Sequence, residues 1–295
     1  MDTISAKTIL APKKDFSWFG TEFNMNLYKG CSHGCIYCDS RSDCYQITEF
    51  DTVRAKENAL TILEGELRHK VKTGVIATGS MSDPYNPFEA VHSLTRQALE
   101  LVDSYHYGIA IATKSNLIAR DIDVLKRIKT HSPVICKITI TSASDELSRM
   151  IEPKVCVSSK RFEALNALTT AGIFSGILMM PLLPHITDTP ENVRTIVYRA
   201  HECGVNFIYP LFGLSLRSGQ REYYYKKLTE LFPNDNLKDV YIRQYGASYV
   251  CKSPREKELR QLFTSECNRL GILYRMEDII LAYRKNYEYK QLSLF

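Results

Sequence analysis

Short apolar, β-branched runs alternate along most of the chain with stretches of helical hydrophobic spacing. The pattern predicts strands at Phe23–Leu27, Gly74–Thr78, Gly108–Thr113, Val134–Thr141, Ile173–Met180 and Val205–Leu211. Helices are predicted between them at Thr52–His69, Ser93–Tyr105, Ile118–Lys129, Ser158–Ala171 and Pro190–Cys203. Ser158 or Ser159 reads as an N-cap, and Gly172 and Gly204 as the residues that close their helices. Strands alternating with helices imply right-handed βαβ units on a parallel sheet. Six such units are too few to close an eight-unit barrel. The expected fold class is therefore α/β, a partial (β/α)6 TIM-like barrel over residues 1–220, open on one side. From 221 to 286 the pattern turns helical and aromatic, with helices near 221–231 and 255–270, and this extension is expected to close the open side. Residues 287–295 read as a charged, mobile tail.

Composition narrows the class. A chain of 295 residues allows one large domain or two small ones. Its 44% hydrophobic and 24% charged residues exclude disordered and collagen-like chains. The longest nearly apolar stretch, Ile173 to Pro184, is too short to span a bilayer. The start, MDTISAKTILAPKKDF, lacks the apolar core of a secretion signal, so a cytoplasmic protein with no membrane contact is expected. A net charge of +5 suits a polyanionic partner and equally an ordinary surface. Nine cysteines, an odd number, argue against a disulfide framework. Cys31, Cys35, Cys38 and Cys44 fall close together, and that clustering is the first sign of chemistry.

Loops after the strands form the active face of such a barrel. Here Cys31–Cys38 follows the first strand, GSMSDPYNPFE the second, TKS the third, TITS the fourth, PLLPHITD the fifth and YPLFG the sixth. Cys31-Ser-His-Gly-Cys35-Ile-Tyr-Cys38 has the spacing C-x3-C-x2-C. Three thiolates on one short loop can reach three corners of an iron–sulfur cubane and leave one iron open. Structural zinc, with His33 or Cys44 as fourth ligand, is the competing reading. It lacks the second C-x2-C pair that zinc knuckles use.

At this loop the chain resembles the radical S-adenosylmethionine (SAM) enzymes, whose hallmark is C-x3-C-x-aromatic-C; Ile36-Tyr37 supplies the last pair. The resemblance implies that Cys31, Cys35 and Cys38 hold a [4Fe-4S] cluster whose open iron chelates SAM. An electron from flavodoxin or ferredoxin would then cleave SAM to a 5′-deoxyadenosyl radical, which abstracts hydrogen from a substrate. Tyr37 would pack beside the adenine. NMNLYKGCSHGCIYC, SDPYNPFE, IATKSNLIARD, the EP of RMIEP, and MPLLPHITD resemble the spore photoproduct lyase-like branch, whose lyases split a thymine dimer in DNA. By that resemblance Gly79, Ser80, Met81 and Ser82 line the SAM methionine moiety. Lys114 and Ser115 reach its carboxylate or ribose, Thr139 and Thr141 lie beside the ribose, and the backbone of Pro181–Leu183 flanks the adenine.

On residue type alone, Gly79, Pro84 and Pro87 also build a turn, Lys114 also reads as a solvated lysine, and Thr139 and Thr141 are β-formers. Asp83 and Glu152 either orient substrate or pin loops. The sequence departs from the lyases at Ser80, where they carry a cysteine hydrogen donor; a serine O–H bond is too strong for that role. Tyr85 and Tyr209 are candidate phenolic donors, Tyr209 reading equally as core. Cys44, Cys136, Cys156 and Cys203 read first as small buried hydrophobes, and Cys251 and Cys267 as free thiols. The function expected is a radical SAM enzyme acting on a macromolecule, in DNA. RNA or peptide modification, or a zinc-binding adaptor, are the alternatives. Finally, Gln291-Leu-Ser-Leu-Phe295 resembles the Q-L-(S/D)-L-F peptide by which bacterial repair proteins bind the β sliding clamp. Leu294 and Phe295 would be its anchors, Leu292 a lesser contact and Gln291 the polar register group. A plug folding back on the domain competes with that reading.

Overall fold

The computed structural model describes residues 2–69, 72–79 and 81–287. Its strands are β1 (Asp2–Ile4), β2 (Leu10–Pro12), β3 (Phe23–Met25), β4 (Tyr28–Lys29), β5 (Arg54–Lys56), β6 (Val75–Ala77), β7 (Gly108–Thr113), β8 (Val134–Thr139), β9 (Ser175–Met179), β10 (Phe207–Pro210), β11 (Gly213–Ser215) and β12 (Val250–Lys252). The helices are α1 (Ala59–Arg68), α2 (Glu89–His92), α3 (Leu94–Ser104), α4 (Ile122–Lys129), α5 (Asp145–Ile151), α6 (Ser158–Thr170), α7 (Pro190–Glu202), α8 (Gln220–Leu231), α9 (Leu237–Tyr245), α10 (Glu256–Leu270) and α11 (Met276–Arg284).

The six expected strands lie in one sheet, in the order β10-β9-β8-β7-β6-β3, every pair parallel, with β2 added antiparallel at the β3 edge. This is the α/β half-barrel the alternation predicts. Because side chains alternate across a strand, each apolar strand feeds two layers. Ile109, Ile111, Cys136 and Ile138 face the outer helices and join the main core. Val75, Ala110, Ile135, Leu178 and Phe207 face the concave side, the lumen.

Three local expectations change. The helix predicted from Thr52 begins only at Ala59, because Arg54–Lys56 pairs between β1 and β4 in a side sheet and Asn58 turns through a left-handed φ of +53°. Val157, not Ser158 or Ser159, precedes α6; the Ser158 hydroxyl is spent on the Ser142 carbonyl at 2.6 Å, and Ser159 donates to Asp145. Gly172 and Gly204 do adopt positive φ after their helices. The pattern does not predict helices α2, α5, α9 and α11.

The C-terminal region reaches three places. Tyr224, Leu228 and Tyr241 of α8 and α9 pack over Cys35, Ile36 and Tyr37. Helix α10 lies against α7. Helix α11 sends Ile279 and Tyr283 into the lumen beside Phe19 and Phe207, fastened by Tyr283 Oη donating to the Phe19 carbonyl at 2.7 Å and an Arg284–Glu22 ion pair at 2.7 Å. No helix of the described residues is long and apolar enough to cross a membrane. The clamp-like residues Gln291, Leu292, Leu294 and Phe295 lie outside the described residues.

Candidate cofactor site

The chain leaves β4 through Gly30, whose φ is +80° and where a Cβ would strike the Thr52 carbonyl. It enters the cysteine loop held from three sides. Cys31 N donates to Phe50 O at 2.8 Å, Ile36 N to Ile151 O at 3.0 Å, and Gln220 Nε2 to Tyr37 O at 3.0 Å. Cys31, Cys35 and Cys38 then line one cavity of about 130 Å³, together with Gly79, Met81, Ser82, Lys114 and Thr139. All three are free thiols, and burial pushes the Cys35 thiol well up.

Three soft thiols opening on one cavity are the donor type of an iron–sulfur cluster. Among the described residues no three His, Cys, Asp or Glu side chains gather closely enough to ligate one metal ion. Thiols spread around a cavity match the separate corners of a cubane. Cys44 points elsewhere: on the surface, its sulfur lies 3.2 Å from Arg217 Nη1 and 3.3 Å from Ser42 Oγ. His33 Nδ1 faces Asp83 at 3.5 Å. Burial opposes protonation of His33, but Asp83 and Cys31 outweigh it and raise the imidazole's pKa.

Buried charge surrounds the thiols. Asp83 accepts from Thr113 Oγ1 at 2.6 Å, Lys114 N at 2.8 Å and Tyr85 N at 2.9 Å, so it ties the loop after β6 to the end of β7. Gly79 lets that loop approach: its φ is +84°, and a Cβ would collide with the Ala112 carbonyl. Ser82 Oγ donates to Gly30 O at 2.6 Å, joining the same loop to the cysteine loop. Glu152 pairs with Arg161 at 2.6 Å and accepts from Tyr37 Oη, all three buried. Burial pushes the Glu152 carboxyl upward, yet Arg161 and Lys114 bring it below its ordinary value. Burial likewise opposes the charge on Lys114, but Cys35, Glu152, Cys38 and Asp83 together raise its pKa. Both carboxylates pin loops.

A second cavity of about 330 Å³ continues from the first, sharing Cys35, Cys38, Gly79 and Lys114 and adding Trp18, Tyr37, Lys137 and Pro181. The structure thus brings Tyr37, Gly79, Met81, Ser82, Lys114, Thr139 and Pro181 together with the cysteines. Others are placed apart. Ser115 caps the turn at Asn116 by accepting from Leu117 N, and with Tyr85 lines a different pocket beside Asn86 and Cys156. Tyr85 is buried against Arg120. Thr141 and Leu183 are fully buried, Leu183 beneath the cysteine loop. Tyr209 stacks edge-on to Trp18 at 5.4 Å. Ser80 lies outside the described residues. A wider groove of about 780 Å³, lined by Gly74, Gly108, Pro133 and Tyr287, lies at the opposite ends of the strands and holds no cysteine. The residues missed were Trp18, Arg161 and Lys137. The signal for Lys137 was present, since a lysine alternating with Ile135 and Thr139 in VICKIT must face the lumen.

Fold and cysteine loop together define a class, and residues 25–197 match the model of the radical SAM superfamily. The chain belongs to that superfamily, whose cofactors are a [4Fe-4S] cluster and SAM. Among its relatives are an uncharacterized protein of Mycobacterium tuberculosis, 28% identical over 79% of this chain and 70% of that one, and an uncharacterized protein of Methanocaldococcus jannaschii, 33% identical over 57% and 63%. A solved spore photoproduct lyase variant with bound AdoMet and dinucleoside spore photoproduct shares the fold, with a TM-score of 0.66, 14% identity, and coverage of 90% of this chain and 78% of that one.

Proposed function

We propose that this protein is a radical SAM enzyme acting on a nucleobase in DNA, with the cluster held by Cys31, Cys35 and Cys38. The observation that carries the reading is the single cavity into which all three thiols open, continuous with a deeper lumen large enough for part of a substrate. When bound there, cluster and SAM supply one-electron cleavage of the sulfonium and, with it, a hydrogen-abstracting radical.

The chain's own residues do the rest. Lys114 sets a half-buried positive charge near the thiols and Glu152, which offsets the negative charge gathered at this rim. Tyr37, fixed at its hydroxyl by Glu152 and at its carbonyl by Gln220, forms a rigid wall between the thiols and the lumen. Gly79, Met81, Ser82 and Thr139 form the rim on which the SAM methionine moiety and ribose would lie. Pro181 closes the side toward the lumen.

DNA as substrate is supported by the likeness of motif and fold to the lyases, and by the clamp-like tail. Docking on a sliding clamp would bring the enzyme to DNA without a strongly basic surface. Ser80 in place of the lyases' donor cysteine argues for a reaction other than clean dimer reversal. The test is anaerobic purification with iron analysis, then SAM-cleavage assays with reduced protein and lesion-bearing, modified or plain DNA, followed by mass analysis of the DNA. About four irons per chain and cleavage enhanced by one DNA class are expected. Colourless protein carrying zinc would overturn the reading.

A further inference from the structure

Lys137 occupies the lumen face of β8, between Ile135 and Thr139, in a strand otherwise without charge. It is 1% exposed. Among the described residues its amine has no carboxylate partner and no hydrogen-bond acceptor; its close neighbour is the Phe19 ring, 4.4 Å to the centroid. Burial lowers its pKa to about 7, Cys136 opposing and Lys13 assisting the shift. Burying an amine without an acceptor costs stability. A cavity that holds such a donor is completed by a ligand bringing the acceptor.

The cavity describes that ligand. Lys137 shares it with Cys35 and Cys38, so whatever touches the amine lies close to the thiols. Trp18, 39% exposed, forms part of the wall and is held edge-on by Phe19 at 5.0 Å and Tyr209 at 5.4 Å. Leu178, Met180 and Leu211 make much of the remaining wall carbon. No arginine lines this space among the described residues, and the charge of Lys114 is offset by the nearby Cys35 and Glu152, so a phosphate or carboxylate would meet little net charge. A flat ring with one exocyclic oxygen fits instead: its faces meet the indole and the aliphatic wall, and its oxygen meets the amine. Enzymes that do chemistry on a base extrude it into such a pocket and read its exocyclic groups there.

We propose that Lys137 is a substrate-binding residue whose amine donates to the exocyclic carbonyl oxygen of an extruded nucleobase, with Trp18 stacked on the ring. The choice of a nucleobase rests on the reading given under Proposed function.

Trp18 is the single tryptophan of the chain, so its fluorescence reports on the lumen directly. Full-length, anaerobically purified protein is titrated with the dinucleotide thymidylyl-thymidine, with deoxyribose phosphate and a blocked tripeptide as controls. The dinucleotide should quench Trp18. Lys137→Met should weaken its affinity about tenfold, the loss of one hydrogen bond to a charged donor. Lys137→Gln, which keeps a donor, should lose less. Wild-type affinity should also fall as pH rises through about 7, where the amine gives up its proton, and that slope should vanish in Lys137→Met. Cys35, Tyr37, Cys38, Asp39 and Lys114 share the cavity and Lys13 and Cys136 adjoin the amine, so the difference between the two proteins isolates Lys137. Absence of quenching, equal affinity of wild type and Lys137→Met, or quenching by the tripeptide or sugar phosphate instead, would each overturn the proposal. Iron content and SAM cleavage measured on the same samples keep the two readings apart, because Trp18 reports on the lumen whether or not a cluster is bound.

Discussion

Lys114 and Lys137 stand on the lumen side of neighbouring strands, and in the β7–β8 register Lys137 lies opposite Ala112, two residues before Lys114. Lys137 is buried and Lys114 half-buried, and their charges move in opposite directions. At the rim, Lys114 meets Cys35, Glu152, Cys38 and Asp83, and stays protonated despite its burial. Deeper in, Lys137 meets the Phe19 ring and carbon, and its pKa falls to about 7. Burial opposes the charge on both amines, and counter-charge at the rim is what lets Lys114 keep its proton where Lys137, deeper and without it, gives its proton up. Rim and lumen differ in origin as well. The rim is made by the loops that follow the strands, whereas the lumen is lined by strand faces and filled by two segments from the ends of the chain, Phe19 and Ile279 with Tyr283.

The contrast can be broken most severely at the thiols. Replacing Cys31, Cys35 or Cys38 singly with alanine should abolish both iron retention and 5′-deoxyadenosine formation, whereas Cys44→Ala and Cys251→Ala should keep both. Iron analysis and chromatography of the nucleoside product check this, and loss of iron in Cys44→Ala alone would defeat the open-corner arrangement. Next comes the rim lysine. Lys114→Met removes a half-buried cation whose field acts on Glu152 and Asp83 and should destabilise the protein by about 2 to 3 kcal/mol in chemical denaturation, somewhat less than the loss of a fully buried ion pair; Lys137→Met should instead be neutral or stabilising. Equal effects at the two sites would erase the distinction. A smaller loss, about 2 kcal/mol, is expected for Gly79→Ala from its left-handed backbone and the clash with Ala112, with weakened SAM binding as its companion.

Stability against pH sharpens the same comparison. Between about 7 and the ordinary lysine value, Lys137 is neutral in the folded chain and protonated in the unfolded one. The unfolded state then binds the extra proton, so this residue makes stability rise with pH across that window, by at most about 1.4 kcal/mol per pH unit. Lys137→Met should lack the rise; identical slopes in the two proteins would refute it. The smallest effect on either region belongs to the tail. Leu294→Ala with Phe295→Ala should leave iron, SAM cleavage and stability unchanged while removing binding to purified bacterial clamp, for which a peptide of the last nine residues should show about micromolar affinity.

Much of this was legible in the chain because it is local. Alternation of VICKIT-like strands with amphipathic stretches settles the parallel half-barrel, since period and length are properties of neighbouring residues. C-x3-C-x2-C names its chemistry because three soft donors on eight residues cannot be kept far apart. Gly79 and Lys114 were likewise readable from their places at strand ends. Tertiary structure alone settled which polar groups meet. Asp83 reaches Thr113, Glu152 finds Arg161 and Tyr37, and Ser115 and Tyr85 are turned away from the thiols, all through contacts between distant loops. It also brought Trp18 and Phe19 from the N-terminal segment, and α11 from the C-terminal one, around Lys137, whose side of the strand is legible in VICKIT but whose surroundings are not. Hydrophobic period is written residue by residue, but the charge state and reach of a side chain depend on partners that only the closed fold assembles.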